Sequence, residues 1–249
     1  MSSVRQAFDR HAPTYDHVFR AAKVRSEVWQ IADRAFSAGM KILDIGCGTG
    51  DDALHFFERG VDVTAIDISP EMIAQLRRKS GGKVQCEVAD MRSFNPAGCR
   101  FDGVFSNFSA LNCVADLDWL RRVPLAPGAH AVFTVMGRIY PLEVAVSLLK
   151  NKPRTAFRRL GRTSEGIVEG VELTVYYHSI RAIQKALGNN FELLEVRGLR
   201  SLMPAPHLDH LERFRLFRLL EPVDRWICAH RLTAVYADHF VALWRYREA

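Results

Sequence analysis

The chain has 249 residues, 48% of them apolar and 25% charged. That length and balance exclude a disulfide- or zinc-stapled miniprotein, a disordered chain, a collagen and a coiled coil, and they fit one large α/β domain. The net charge of +6 lies wholly after residue 135: residues 1–135 hold 16 basic and 16 acidic side chains, and the remainder 18 and 12. Between Arg138 and Arg162 stand seven basic residues and one acid, Glu143. Such a segment suits an acidic substrate, a membrane headgroup layer, nucleic acid, or only a solvated helix face. No apolar run approaches the roughly 20 residues that cross a bilayer. The opening MSSVRQAFDRHAPTYD has no apolar core of a signal peptide. Five scattered cysteines without a CxxC pair read as reduced thiols, which points to a cytoplasmic protein.

From residue 40 strand-like and helix-like segments alternate. Lys41–Ile45 is a short apolar strand that runs into glycines, and Asp51–Arg59 follows as a helix. Val61–Ile66 is β-branched. Ser69-Pro70-Glu71 opens the next helix with an N-cap, a first-position proline and a first-turn acid, and Gly81-Gly82 end it. Val84–Val88, Phe101–Ser106 and Ala129–Val135 are the next strands. This alternation predicts right-handed βαβ units and a parallel sheet. After residue 136 the rhythm breaks. Tyr140–Leu160 reads as a basic helical insertion, Val168–Tyr177 as an added strand and Ser179–Leu187 as a helix. Phe191–Val196 is a strand, Leu208–Leu220 an Arg- and Leu-rich helix, and His239–Tyr246 a last strand that fits antiparallel beside Phe191–Val196. The expected organisation is a single domain, 1–249, with insertions near 136–178 and 199–236.

The strongest motif is Ile42-Leu43-Asp44-Ile45-Gly46-Cys47-Gly48-Thr49-Gly50. Glycines directly after a strand allow a tight turn and let a ligand touch the backbone, and the following helix presents free N–H groups. The spacing is GxGxG rather than the dinucleotide GxGxxG, with Asp51 where the third glycine would fall. Asp44, Asp51 and Asp52 would repel a pyrophosphate. They suit a ligand with an ammonium, a sulfonium and one carboxylate, which describes S-adenosyl-L-methionine. Asp67 ends the second strand, where a carboxylate can accept both ribose hydroxyls. Asp90, just past the third strand, can accept from an adenine amino group while Met91 and Ile68 pack on the ring faces.

Together LDIGCGTG, AIDISPEMI, VADM and FDGVFSNFSALNCV resemble the successive motifs of the class I S-adenosylmethionine-dependent methyltransferases, over about residues 1–135. Phe8-Asp-Arg-His-Ala-Pro-Thr-Tyr15-Asp16 resembles the opening of the subgroup that holds quinone-biosynthesis and many small-molecule methyltransferases. The resemblance implies an α/β fold: a seven-stranded, mostly parallel, Rossmann-like sheet with an antiparallel last strand, here with helical insertions. It implies that Gly46, Gly48 and Gly50, with Cys47 between them, border the methionine moiety. Asp67 would hold the ribose, Asp90 and Met91 the adenine, and Tyr15 would close over the cofactor. Ser106 and Asn107 would sit near the reacting methyl.

The segment Ser106-Asn107-Phe108-Ser109 lacks the proline pair of nucleic-acid amino-methylating enzymes and the Pro-Cys of RNA cytosine-C5 enzymes. The expected activity is therefore methyl transfer to a small-molecule or lipid-like acceptor, with an anionic group considered on the basic insertion, giving S-adenosyl-L-homocysteine. The alternatives are an RNA or protein methyltransferase, or a catalytically silent cofactor-binding module. His178, ending the added strand, is the candidate base, or a packing residue. His207 and His210 stand at the i, i+3 spacing of a metal pair but have no further ligands in sequence, so no metal site is expected. The apolar, Arg-rich segment 199–236 would pack on the core, cover a greasy acceptor or touch a membrane.

Overall fold

The structure is a computed structural model that describes residues 2–19, 23–96, 98–205 and 214–247. In chain order it contains α1 (Ser3–Phe19), α2 (Lys23–Ala35), β1 (Lys41–Ile45), α3 (Asp51–Glu58), β2 (Asp62–Asp67), α4 (Pro70–Ser80), β3 (Gln85–Val88), β4 (Phe101–Ser106) and β5 (Leu125–Met136). There follow α5 (Pro141–Leu149), α6 (Pro153–Ala156), β6 (Thr163–Val168), β7 (Val171–Tyr176), α7 (Ile180–Leu187), β8 (Phe191–Leu199), α8 (Arg215–Ala229) and β9 (His239–Tyr246), with short 3-10 turns at 110–113, 118–122 and 158–161.

Seven strands form one sheet in the order β3-β2-β1-β4-β5-β9-β8. The first five pair in parallel, and β9 runs antiparallel to both β5 and β8. Period-2 alternation builds both faces. Ile42, Val63, Phe105, Val132 and Val241 pack with α2, α3 and α4 on one side. Leu43, Ile45, Val104, Phe133, Phe240 and Trp244 pack with the 3-10 turns and α7 on the other. Fully burying one such side chain contributes about 1.5–3 kcal/mol, whereas an exposed ion pair contributes about 0–1, so these two layers hold the fold.

Four segments differ from the sequence expectations. The 140–160 stretch is not one helix: Asn151 adopts a left-handed φ of 54° and Pro153 restarts the chain as the single turn α6. The added strand is a hairpin, β6 and β7, in antiparallel register across Glu169-Gly170, both at positive φ. That is the backbone a two-residue hairpin turn requires. The Arg-rich helix runs from Arg215 to Ala229, through Pro222, well past the expected end at Leu220. Its expected start at Leu208 lies outside the described residues, as do His207 and His210. The N-terminal region forms two helices, and α1 packs Ala7, Val4 and Phe8 on Val171 and Leu173 of the hairpin. Helix α1 and the β6–β7 hairpin thus cover the end of the sheet from which the glycine loop emerges.

Candidate active site

The loop Gly46–Gly50 leaves β1 and enters α3 at Gly50, whose φ is 88°. A Cβ at Gly50 would lie 2.2 Å from Leu76, and one at Gly46, where φ is 67°, would lie 2.3 Å from the Ala110 Cβ. These two positions must be glycine for α4 and the 110–113 turn to close on the loop. The Gly48 N–H donates to Asp67 Oδ2 at 2.9 Å, which ties the loop to the end of β2.

An open cavity of about 890 Å³ lies over this junction. Of the twelve expected cofactor contacts, Tyr15, Gly46, Gly48, Asp67, Ile68, Asp90, Met91 and Asn107 line it, joined by Phe8, Phe108, Ala110 and Cys113. Asp44, Cys47, Gly50 and Ser106 do not. Asp44 is buried beneath the loop, where burial raises its carboxyl well above the usual range and leaves Oδ2 without a hydrogen-bond partner. The Cys47 thiol is pushed up by burial and faces the Gly48 carbonyl at 3.6 Å. Ser106 donates to the Ile45 carbonyl at 2.9 Å and so clamps β4 to β1.

Asp67 accepts the Gly48 and Ser69 N–H groups, at 2.9 and 2.8 Å. Burial nevertheless lifts its pKa to about 6, against the pull of those two donors. Further donors from a ligand would stabilise its ionised form. Asp90 is held below the usual range by Arg92, whose guanidinium lies at 2.6 Å. Asn107 donates to Asp52 and accepts from the Phe108 N–H. The apolar walls at Ile68, Ala89 and Met91, with Asp67 and Asp90 at their edges, fit an adenosine with its hydroxyl and amino donors.

The charge argument from the loop acids needs correction in part. Asp52 is neutralised by Arg25 at 2.7 Å and also accepts from the Trp29 indole at 2.8 Å. Asp51 pairs with Lys79 at 2.7 Å. These two carboxylates hold α2 and α4 in place rather than repelling a phosphate. Discrimination against a pyrophosphate falls to Asp67 and the GxGxG spacing, since Asp90 is itself paired with Arg92. Arg25, Lys79 and Asp16 escape the sequence reading because no local pattern marks partners brought together by tertiary folding.

His178 lies outside this cavity. Its Nε2 donates to the Leu111 and Val114 carbonyls at 3.1 and 2.9 Å, which fixes the tautomer of the neutral ring, and burial lowers its pKa. It therefore braces the turn whose Ala110, Cys113 and Val114 form the cavity wall. A second feature that sequence reasoning missed is a buried polar chain. Ser109 Oγ lies 2.7 Å from His239 Nε2, His239 Nδ1 lies 3.0 Å from Asp238, and Asp238 accepts from Arg159 at 2.8 Å. Ser109 and its neighbour Phe108 both adopt left-handed φ, 67° and 45°. Such strain in non-glycine residues gathers at functional sites. Among the described residues no group of three or more His, Cys, Asp or Glu side chains comes together to hold a metal.

Residues 42–123 match the family described as a methyltransferase domain. A malonyl-[acyl-carrier protein] O-methyltransferase of Pectobacterium atrosepticum is 32% identical over 65% of this chain and 60% of its own length. A magnesium-protoporphyrin O-methyltransferase of Rhodobacter capsulatus is 41% identical over 48% of each chain. The chain thus spans about half to three-fifths of the length of these curated relatives. Among solved structures, an S-adenosylmethionine-dependent methyltransferase fold from Listeria monocytogenes superposes with a TM-score of 0.65 at 17% identity, over 91% of this chain and 100% of its own. The strand order and these matches converge: residues 42–123 match a methyltransferase domain, set in a fold shared with solved S-adenosylmethionine-dependent methyltransferases.

Proposed function

We propose that the protein transfers a methyl group from S-adenosyl-L-methionine to a small-molecule or lipid-like acceptor. The observation that carries this reading is the carboxylate of Asp67, anchored to the Gly48 N–H and aimed at a cavity walled by Ile68 and Met91. When bound, the cofactor supplies an electrophilic methyl on a sulfonium. The chain's own part is to hold and exclude. Asp67 would hold the ribose, and Ile68 and Met91 the adenine, while the Tyr15 ring lies over Gly48 as a cover. Burial keeps the Tyr15 hydroxyl protonated and pushes the Cys113 thiol up to about 12, so neither supplies a base at neutral pH. Rate then comes chiefly from positioning. We assign His178 to bracing the 110–113 turn, in place of the catalytic role expected from sequence.

The names of both curated relatives support an oxygen acceptor. A lipid-like acceptor, and peripheral contact with an anionic bilayer, are supported by exposed apolar residues set beside cations. These are Leu149 with Lys150, Lys152 and Arg154, and Leu216, Leu219 and Trp226 with Arg215 and Arg218. A nucleic-acid acceptor draws no support, because Arg158 and Arg159 of the basic segment are both paired with Glu143. Incubation with a methyl-labelled donor and fractionated acceptor pools tests the reading. Label should pass to an organic-soluble small molecule, with stoichiometric S-adenosylhomocysteine. Tight cofactor binding with no transfer to any pool would instead identify a silent binding module.

A further inference from the structure

A second open cavity, of about 880 Å³, lies on the other side of the 110–113 turn. Ile139, Leu160, Val235, Tyr236 and Phe240 make most of its wall, and its polar groups are Arg138, Arg181, His178 and Ser179. No carboxylate is among the described residues that line it.

The two arginines are the informative feature. Arg158 and Arg159, close by in sequence, are neutralised by Glu143, and Arg159 also by Asp238. Arg138 donates only to the Leu160 carbonyl, at 2.8 Å, and its Nε is buried without a hydrogen-bond partner. Arg181 sits in the first turn of α7, two residues after the N-cap Ser179. A cation there opposes the helix dipole, whose N-terminal end is already positive. Two uncompensated guanidinium groups and a helix N-terminus therefore converge on one apolar cavity. That arrangement is favourable around an anion.

We propose that this cavity binds an amphipathic anion: an alkyl or acyl chain that ends in a carboxylate or a phosphate. The head group lies against Arg138, Arg181 and the first turn of α7, and the chain lies along Leu160, Tyr236 and Phe240. The ring of His178 lines this cavity while its Nε2 holds the Leu111 and Val114 carbonyls. A ligand here consequently leans on the wall of the cofactor cavity, where an acceptor's non-reacting end would have to lie. The site itself is independent of whether methyl transfer occurs.

Calorimetric titration of the full chain with decanoate, decyl phosphate and decanol, below their aggregation limits, tests it. Both anions should bind saturably at one site, with decanol at least about tenfold weaker. Arg181→Glu, at an exposed position, should weaken the anions by about ten- to hundred-fold and leave decanol unchanged. Arg138→Gln should act in the same direction. A preference for decanoate identifies a free acyl carboxylate, and a preference for decyl phosphate a phosphate-headed lipid; either supports the proposal. Equal affinity for decanol and the anions, or unchanged anion affinity in Arg181→Glu, overturns it, as does the absence of saturable binding. S-adenosylhomocysteine affinity, measured alongside, should be the same in wild type and variants. Its absence in wild type would sink the methyltransferase reading and leave this one standing.

Discussion

Asp67 carries a cost in the free protein. Its folded pKa of about 6 stands above the roughly 3.9 of an unfolded aspartate. The sign follows from linkage: this group's contribution to stability is full below about pH 4 and is lost as pH rises through 6. At neutral pH the buried carboxylate is therefore a held-back acceptor, which ribose hydroxyl donors would relieve. Binding of S-adenosylhomocysteine should release a proton near pH 5–6, and affinity should rise with pH up to about 6 and then level. Asp67→Asn should flatten that profile and weaken binding by about 1–3 kcal/mol. Calorimetry at pH 5, 6 and 7 in two buffers of different ionisation enthalpy reads both effects. Asp238 shows the opposite sign. Burial alone would raise it, but His239 and Arg159 overcome that and hold it well below the carboxylate range. Its contribution is present above about pH 4 and lost as pH falls through the depressed value. Asp238→Asn leaves the buried Arg159 with Glu143 as its remaining carboxylate partner and should cost about 1–3 kcal/mol. The melting temperature should then fall by roughly 2–4 °C for each kcal/mol.

At the scale of elements, strands and the cofactor loop were legible because their signals are local. A β-branched run ending in glycines, or Ser-Pro-Glu at a helix start, states its own conformation, and Ser69 does cap α4 by accepting from the Met72 N–H. The β6–β7 hairpin was missed although Glu169-Gly170 marks its turn, because Val168 and Val171 read as one continuous strand. The roles of Arg25, Lys79 and His239 were not legible at all, since each depends on a partner from a distant element. The basic insertion shows why this matters. Arg159 is a buried strut under Tyr140 and Asp238, not a surface charge. A test of surface attraction must leave it alone. Lys150, Lys152 and Arg154 are exposed, as are Leu149 at 88% and Leu219 and Trp226 at 75% and 61%. Trp226→Ser with Leu219→Ser should abolish co-sedimentation with anionic vesicles and change folding stability by no more than about 0.5 kcal/mol. Lys150→Gln with Arg154→Gln should weaken it in a salt-dependent way. Wild-type protein that stays in the supernatant at low salt would remove membrane contact from the functional reading.

For the whole molecule, the question is how a cofactor enters a cavity that its own N-terminal helix covers. Tyr15 and Phe8 of α1 are part of the cavity wall. Polar ties hold that helix down, several of them to α4 or its cap. Asp9 accepts from Ser69 at 2.6 Å, Gln75 donates to the Ala12 carbonyl at 2.5 Å, and Lys79 bridges Asp16 and Asp51 at 2.6 and 2.7 Å. Beyond α4, Thr49 of the glycine loop donates to Asp16 at 2.5 Å, and His11 meets Glu169 of the hairpin turn at 2.9 Å. The apolar seat of α1 is small, with Ala7 and partly buried Val4 and Phe8 on the hairpin, against the two large clusters on the sheet. An element held by few apolar contacts and by partly exposed ion pairs opens at lower free energy than the core. Helix α1 is thus the element expected to open first, and a cofactor in contact with Tyr15 would hold it closed. Lys79→Met removes the strongest tie while keeping the apolar stem. It should speed exchange of the amide hydrogens of residues 3–19 at least tenfold and raise the dissociation rate of S-adenosylhomocysteine, with the amides of β1 and β4 unchanged. Saturating S-adenosylhomocysteine should slow the same amides in wild type. Amides of α1 that exchange as slowly as those of β1 in the free protein would show that α1 opens only with global unfolding, and the entry route would then have to lie elsewhere.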